Sequence, residues 1–372
     1  KTMTAYWQAG NKINGDGTKS TDEAAKPKDG SDKSDPSRSS LENATEAYQK
    51  TLERANMSPK QAEEFARLTA DRLQKAADGG KLTGTPEEQL SRMNKAMTDV
   101  LDKTGKRPDG ALENGQKDYL SDNDRANLVK DMAARQANPE KFVNQGDHMT
   151  CVLESNQKQR LEAGDPAQVS EQIASVVNKG SAEIVQKDGT KRTVNVDSRS
   201  FAPDGESSRD FSTNYHGDQG KRSMAGHVYD ALAGQTVADL RSEREGKPSS
   251  AQGIDKAEYV YMAAHADQLG AKPGQTSTNE ALMQRNGDGS YQFRTNSPGA
   301  DIWQTAHLNM AMGGEPGAVF ATSSIVGDGV PPKGENYPPE LRVTSFADTN
   351  ELRAKLTEFQ DRTGKSGQIL VD

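Results

Sequence analysis

Cys151 is the only cysteine in the 372 residues, and it stands where a loop is predicted to become a helix. The residues that follow it predict a helix ending near Gly164. Thr150 suits the cap position of that helix, because its hydroxyl can accept a backbone N–H bond. The positive end of the helix dipole then favours the thiolate, the nucleophilic form of cysteine. A catalytic cysteine needs this placement.

Gln145 precedes Cys151 by six residues, in the segment 144–155, NQGDHMTCVLES. A turn at Gly146 would bring the Gln145 amide beside the backbone N–H of Cys151. Two donors beside a nucleophile form an oxyanion hole, so Cys151 and Gln145 are the predicted catalytic residues. The alternative interpretation is that Cys151 is a small, inert core residue, which is the usual state of a free cysteine.

The order Asn144-Gln145-Gly146, four residues, then Cys151 resembles the N-Q-G-x4-C motif of papain-like cysteine peptidases. The resemblance implies that Gln145 supplies the oxyanion-hole amide and that Cys151 opens the central helix. Two positions depart from the family pattern. His148 stands where the family has a second cysteine, and Val152 where it has tryptophan. The match covers about a dozen residues. With these departures, the chain resembles a remote bacterial relative of the family.

A cysteine nucleophile needs a histidine as its base, and the chain has five histidines. His307 is the best candidate for the base, 156 residues after Cys151, where the family separation is roughly 130–150. Its segment WQTAHLNMAM predicts a helix, whereas the family histidine stands on a strand. The other four are predicted to be loop, surface or core residues: His148, His216, His227 and His265.

The C-terminal residues suggest a different location for the catalytic base. They predict a helix with Leu352 and Leu356, a glycine turn and the strand GQILVD. In the resembled fold a similar helix and strand come shortly before the histidine strand. The base would then lie beyond Asp372, or the active site would be incomplete.

The amino-acid composition limits the classes of partner expected for this chain. Hydrophobic residues make up 32% of the chain and aromatic residues 5%, so a modest core is expected. The net charge of −8, with no long basic stretch, argues against nucleic acid binding. No run approaches 18 apolar residues, so no membrane span is predicted. The first residues lack the apolar stretch of a signal peptide and do not begin with Met, which leaves open a removed leader or a start within a longer protein.

A single cysteine excludes an internal disulfide framework and a Cys-rich zinc site. The sequence NGDG at 14–17 and 286–289 lacks the later ligands of a calcium loop and predicts a turn in both places. No metal and no cofactor is therefore predicted.

Periodicity predicts three regions. Residues 1–40 form a flexible N-terminal segment, rich in Gly, Ser, Asp and Lys. Residues 41–140 form a helical bundle, with helix starts at Ser58-Pro59 and Thr85-Pro86. The resemblance implies that residues 141–372 form a papain-like domain, with the alternative that the domain is incomplete at its C-terminus. Its predicted elements include hairpins at 182–196 and 283–293 and helices around Met224, Val260 and Ile302.

The predicted class is α+β, a papain-like helical lobe with a small antiparallel β part, preceded by the helical bundle. The predicted function is a cysteine peptidase acting on a protein or peptide substrate. The N-terminal helices would then be a pro-region that inhibits the site within the same chain, or a targeting module, in a secreted or translocated bacterial protein. The alternatives are a papain-like binding protein without its histidine, and a helical adaptor in which the motif arose by chance.

Overall fold

The computed structural model describes residues 3–7, 36–143, 151–186, 189–201, 223–244, 257–260, 281–285, 291–293, 302–313, 318–322, 342–363 and 367–371. In these residues the fold is mostly helical with small sheets, which confirms the α+β class. No described helix is long and apolar enough to cross a bilayer.

The helices differ in length, and the short α5 follows α4 directly. They are α1 (Pro36–Arg54), α2 (Pro59–Asp78), α3 (Pro86–Asp102), α4 (Asp122–Ala137), α5 (Pro139–Phe142), α6 (Cys151–Glu162), α7 (Pro166–Lys179), α8 (Met224–Arg244), α9 (Ile302–Ala311) and α10 (Thr349–Thr363).

Four described helices begin with a capping residue followed by proline, and one of them is α5, at Asn138-Pro139. In each, the side-chain oxygen of the cap accepts a backbone N–H from the first turn. The other three pairs are Ser58-Pro59, Thr85-Pro86 and Asp165-Pro166. These three starts were predicted from the sequence and are confirmed.

The strands are β1 (Met3–Trp7), β2 (Ser181–Val185), β3 (Lys191–Asn195), β4 (Ala257–Val260), β5 (Ala281–Arg285), β6 (Tyr291–Phe293), β7 (Ala318–Thr322), β8 (Arg342–Phe346) and β9 (Gly367–Val371). The predicted hairpins are confirmed as the antiparallel pairs β2–β3 and β5–β6, and β4 joins the second of them. A further sheet has the strand order β1-β9-β7-β8.

The sheet of β1, β9, β7 and β8 is mixed, which differs from the predicted antiparallel part. β7 runs parallel to both β8 and β9, and β1 runs antiparallel to β9. The helix α10 connects β8 to β9, and parallel strands need such a crossover. It packs on the sheet through a small apolar cluster that includes Phe320, Phe346 and Leu356.

Two predicted segments are corrected by strand pairing and by the position at which α1 begins. Val260 was predicted in a helix, but it lies in β4, because the short run Ala257–Val260 pairs with β5. The segment 1–40 was predicted to be flexible, but Met3–Trp7 pair with β9 and α1 begins at Pro36. Residues 8–35 lie outside the described residues.

One apolar core joins helices from both sides of residue 140. Its buried members extend from Tyr48 on α1 to Met312, just after α9, and include Leu161 and Val177. The division of the chain at residues 140 and 141 stays a prediction, but the core itself is continuous there.

Hydrogen bonds from α2, α3 and α4 reinforce this core at α7 and at the residues just before it. Arg92 on α3 makes paired bonds to Asp165 at 2.9 Å, and its Nη2 donates to Glu171 at 2.6 Å. Arg72 on α2 donates to the carbonyls of Gln136 and Leu161. Buried guanidinium groups that serve backbone carbonyls are costly to expose or strip of partners. The N-terminal helices are therefore integral to the packing.

Arg125 on α4 makes the same kind of contact at the far end of α7. It donates to the Val177 carbonyl at 3.0 Å and to Asn178 Oδ1 at 2.6 Å, and its side chain is almost fully buried. Helices α4 and α7 are thus joined at a point remote from Arg92.

A chain cut between α3 and α4 should therefore stay in one particle. We propose inserting a protease recognition sequence after Asp109, in an exposed turn. After cleavage, both pieces should co-elute in size-exclusion chromatography and separate only in denaturant. Elution of the N-terminal piece alone in native buffer would contradict the continuous core.

Candidate functional site

The helix α6 begins at Cys151, as the sequence predicted. It is surrounded by β1, α5, α7, α8 and α9. Its sequence CVLESNQKQRLE has good helix formers but no apolar stripe. Four of its polar side chains are nonetheless buried: Glu154, Asn156, Gln157 and Arg160. The helix that carries the predicted nucleophile is thus held inside the bundle by polar contacts.

The predicted catalytic residues are Cys151 and Gln145, and the structure describes only part of the first. The backbone of Cys151 is described as the first residue of α6, but its side chain is not described. Gln145 and its loop, 144–150, lie outside the described residues. The oxyanion hole that the two residues would form stays a prediction.

A buried ion pair holds α6 one turn after Cys151. The side chains of Arg135 on α4 and of Glu154 are 1% and 5% exposed, and Arg135 Nη1 donates to Glu154 Oε2 at 2.9 Å. Arg135 also donates to Ser223 Oγ at 2.8 Å and to Gln157. Burial alone would lower the pKa of Arg135, but the carboxylates of Glu154 and Asp131 outweigh it and raise the pKa. The guanidinium is therefore firmly charged.

Asp131, one turn before Arg135 on α4, fixes the start of α8. Its Oδ2 accepts the backbone N–H of Ala225 at 2.7 Å. Burial raises the pKa of Asp131, although Arg135 opposes the rise. Gly226 lets α8 approach closely, since a Cβ there would come 2.7 Å from Glu154 Oε1 and closer still to Arg135.

A second polar group lies further along α6. Arg160 donates to Gln172 Oε1 at 2.7 Å and to the Tyr229 hydroxyl at 3.1 Å. Tyr229 in turn donates to Asn156, whose Nδ2 donates to Asn309 Oδ1 at 3.0 Å. Burial raises the pKa of Tyr229, so the hydroxyl stays neutral and serves as a hydrogen-bond donor. These bonds tie α6 to α7, α8 and α9.

His307, the predicted base, lies on α9 and is half-buried. Asn309 on α9 accepts a hydrogen bond from Asn156 on α6. Because successive helical residues are about 100° apart, His307 is about 200° around α9 from Asn309. The face of α9 that meets Asn156 is therefore not the face that carries His307.

Of the other four histidines, one lies in the described part of the chain. His227 is buried on α8, in agreement with its prediction as a helical surface or core residue. His148, His216 and His265 lie outside the described residues. In the described part of the chain no group of three or more His, Cys, Asp or Glu side chains is placed to hold a metal ion.

The polar contacts around Arg135 were missed by the sequence reasoning. One signal was present, because α6 lacks the apolar stripe that normally marks a packed helix. A helix of this composition is usually exposed, so the pattern alone favours a surface position. Its burial depends on partners from α4, α8 and α9, which are remote in sequence.

Replacing Arg135 with methionine should strongly destabilise the fold. The variant leaves Glu154 buried without its cation, which typically costs about 3–5 kcal/mol in the free energy of unfolding. Arg67→Met is the matched control, because it breaks an exposed pair with Asp71 on α2, and should cost less than about 1 kcal/mol. Urea unfolding followed by circular dichroism measures both. Equal losses of unfolding free energy in the two variants would show that the buried Arg135–Glu154 pair stabilises the fold no more than the exposed pair does.

No protein-family model, curated protein or solved structure matches the chain.

Proposed function

We propose that the protein is a thiol hydrolase of the papain-like kind, with Cys151 as its nucleophile. The observation that carries the proposal is that α6 begins at Cys151 and lies buried in the bundle. A nucleophile at the start of a firmly held helix has the helix dipole and free backbone N–H groups beside it. The spacing of Gln145, six residues earlier, is independent sequence support.

The reaction would proceed by acyl transfer. The Cys151 thiolate attacks the carbonyl carbon of a peptide or ester, and the oxygen takes the negative charge. The Gln145 amide and the Cys151 N–H stabilise that charge. The leaving group departs with a proton from an imidazole, and water then hydrolyses the thioester. Among the histidines of this chain, His307 is proposed to supply the imidazole.

The substrate is proposed to be a protein or peptide, and the N-terminal helices are proposed to regulate access to Cys151. Contacts such as that of Arg92 with Asp165 hold these helices in place. Inhibition by them would therefore act while they remain attached, by a local shift rather than by release. We further propose that the protein is secreted or translocated from a bacterium.

A second candidate is a papain-like binding protein without a working triad. The position of His307 favours it, because Asn309 occupies the face of α9 that contacts α6. The two functions differ in the effect of His307→Ala. The hydrolase should lose most of its turnover of an activated ester, whereas the binding protein should show the same background rate in both forms.

The first test is the reactivity of the thiol. Because Cys151 is the only cysteine, iodoacetamide labelling followed by mass spectrometry reports on this residue alone. A thiolate-stabilising site should give fast labelling at pH 5.5, well below the ordinary cysteine pKa of about 8.5. The urea-unfolded protein is the control. Labelling that is no faster in the folded form would exclude an activated nucleophile.

The second test addresses the oxyanion hole. With p-nitrophenyl acetate, the protein should release a burst of one equivalent of p-nitrophenol as Cys151 is acylated. Gln145→Ala should slow this step by about 10²–10³-fold, the usual effect of removing one donor. Asn144→Ala, a neighbouring change of similar size, is the matched control. Equal rates in the two variants would remove Gln145 from the mechanism.

A further inference from the structure

Helices α4, α6 and α8 meet in a buried group of ionisable side chains, which we call the acid junction. It consists of Asp131 and Arg135 on α4, Glu154 on α6, and His227 and Asp230 on α8. Each of the five is at most 4% exposed. Three carboxyl groups therefore share this space with one guanidinium, which makes two hydrogen bonds to Glu154.

Asp131 is a carboxyl group of the acid junction whose burial is not fully compensated, since Arg135 and a hydrogen bond with Ser223 lower its pKa less than burial raises it. Its Oδ2 accepts the Ala225 N–H, while its Oδ1 has no hydrogen-bond partner although it is fully buried. An ionised carboxylate with one bare, buried oxygen is costly, and a nearby carboxylate adds repulsion. Glu154 is that neighbour, and Arg135 is already engaged by it.

Within the described residues, the arginines of α2 and α6 are engaged by other groups. Arg72 on α2 is directed to Gln136 and Leu161. Arg160 on α6 is directed to Gln172, Gln168 and Tyr229. Within the described residues, the charged groups that act on Asp131 most directly are Arg135 and Glu154.

We infer that Asp131 takes up a proton when α8 docks on α4 and α6, so that the acid junction is a pH-sensitive clasp. The proton neutralises a fully buried carboxyl group whose Oδ1 has no hydrogen-bond partner. The clasp is tightest under mildly acidic conditions and loosens as the pH rises. Protonation of Asp131 is independent of the reactivity of Cys151, although the same helices hold α6.

Proton linkage gives the direction in which the stability of the fold changes with pH. A carboxyl group whose pKa is raised by burial binds more protons in the folded state than in the unfolded state. Stability from this group is therefore present below the ordinary aspartate pKa. It is lost as the pH rises from that value through the raised pKa of the folded state. Carboxyl groups with lowered pKa values act in the opposite direction.

Asp131→Asn tests the clasp, because an asparagine side chain keeps an oxygen for the Ala225 N–H but needs no proton. Urea unfolding of the full chain is measured between pH 4.5 and 8. The unfolding constant of the wild type should rise relative to that of the variant, by up to about tenfold per pH unit within the interval. A ratio that does not change with pH would overturn the inference.

Asp118→Asn is the matched control, as Asp118 is also a buried carboxyl group. Burial alone would raise the pKa of Asp118, but hydrogen bonds from Lys106 and Arg125 outweigh it and lower the pKa. This variant should lose stability at neutral pH and recover toward the wild type as the pH falls. Its trend with pH is thus opposite to that of Asp131→Asn.

A second measurement serves if Asp131→Asn fails to fold. In wild-type protein labelled with ¹³C at aspartate carboxyl groups, one resonance should keep the protonated chemical shift well above the ordinary aspartate pKa. If every aspartate has the ionised shift by pH 5.5, the junction holds no proton and the inference is wrong.

Discussion

The burial of the Arg135 guanidinium is the constraint on which the rest of the described structure depends. It joins α4 to Glu154 and Gln157 on α6 and to Ser223 at the start of α8. A buried charge tolerates few arrangements, because each unmet N–H carries a desolvation cost. Apolar side chains would allow these helices to slide or rotate against one another. The ion pair specifies which faces meet, and Gly226 leaves room for it.

This constraint explains how a polar helix can be central. Along α6, the Arg135 contacts lie near the start, and the group formed by Asn156, Tyr229 and Arg160 lies further on. Both groups satisfy polar atoms that would otherwise be stranded in the core. A helix held at two levels is a rigid support for a residue at its first turn, which is the property that a catalytic thiol at Cys151 would need. A binding protein would gain the same rigidity without the chemistry.

The N-terminal helices belong to the same packed body. Arg92 and Arg125 reach α7 at opposite ends, and α1 to α4 contribute to the core that α6 and α8 complete. Any control of Cys151 by these helices would therefore be exerted through shifts within a continuous core. Such a core transmits small displacements, since its interior is closely packed. The acid junction is one point at which protonation would alter that packing.

The sequence alone determined the local features: the helix starts at Ser58-Pro59 and Thr85-Pro86, the hairpins, and the start of α6 at Cys151. These depend on capping, proline geometry and turns between near neighbours, so short-range physics suffices. The tertiary structure decided the rest. Val260 became a strand residue because β5 was available as a partner, and β1 found β9 at the far end of the chain. The acid junction and the burial of Glu154 arise from helices remote in sequence, whose meeting no local pattern encodes.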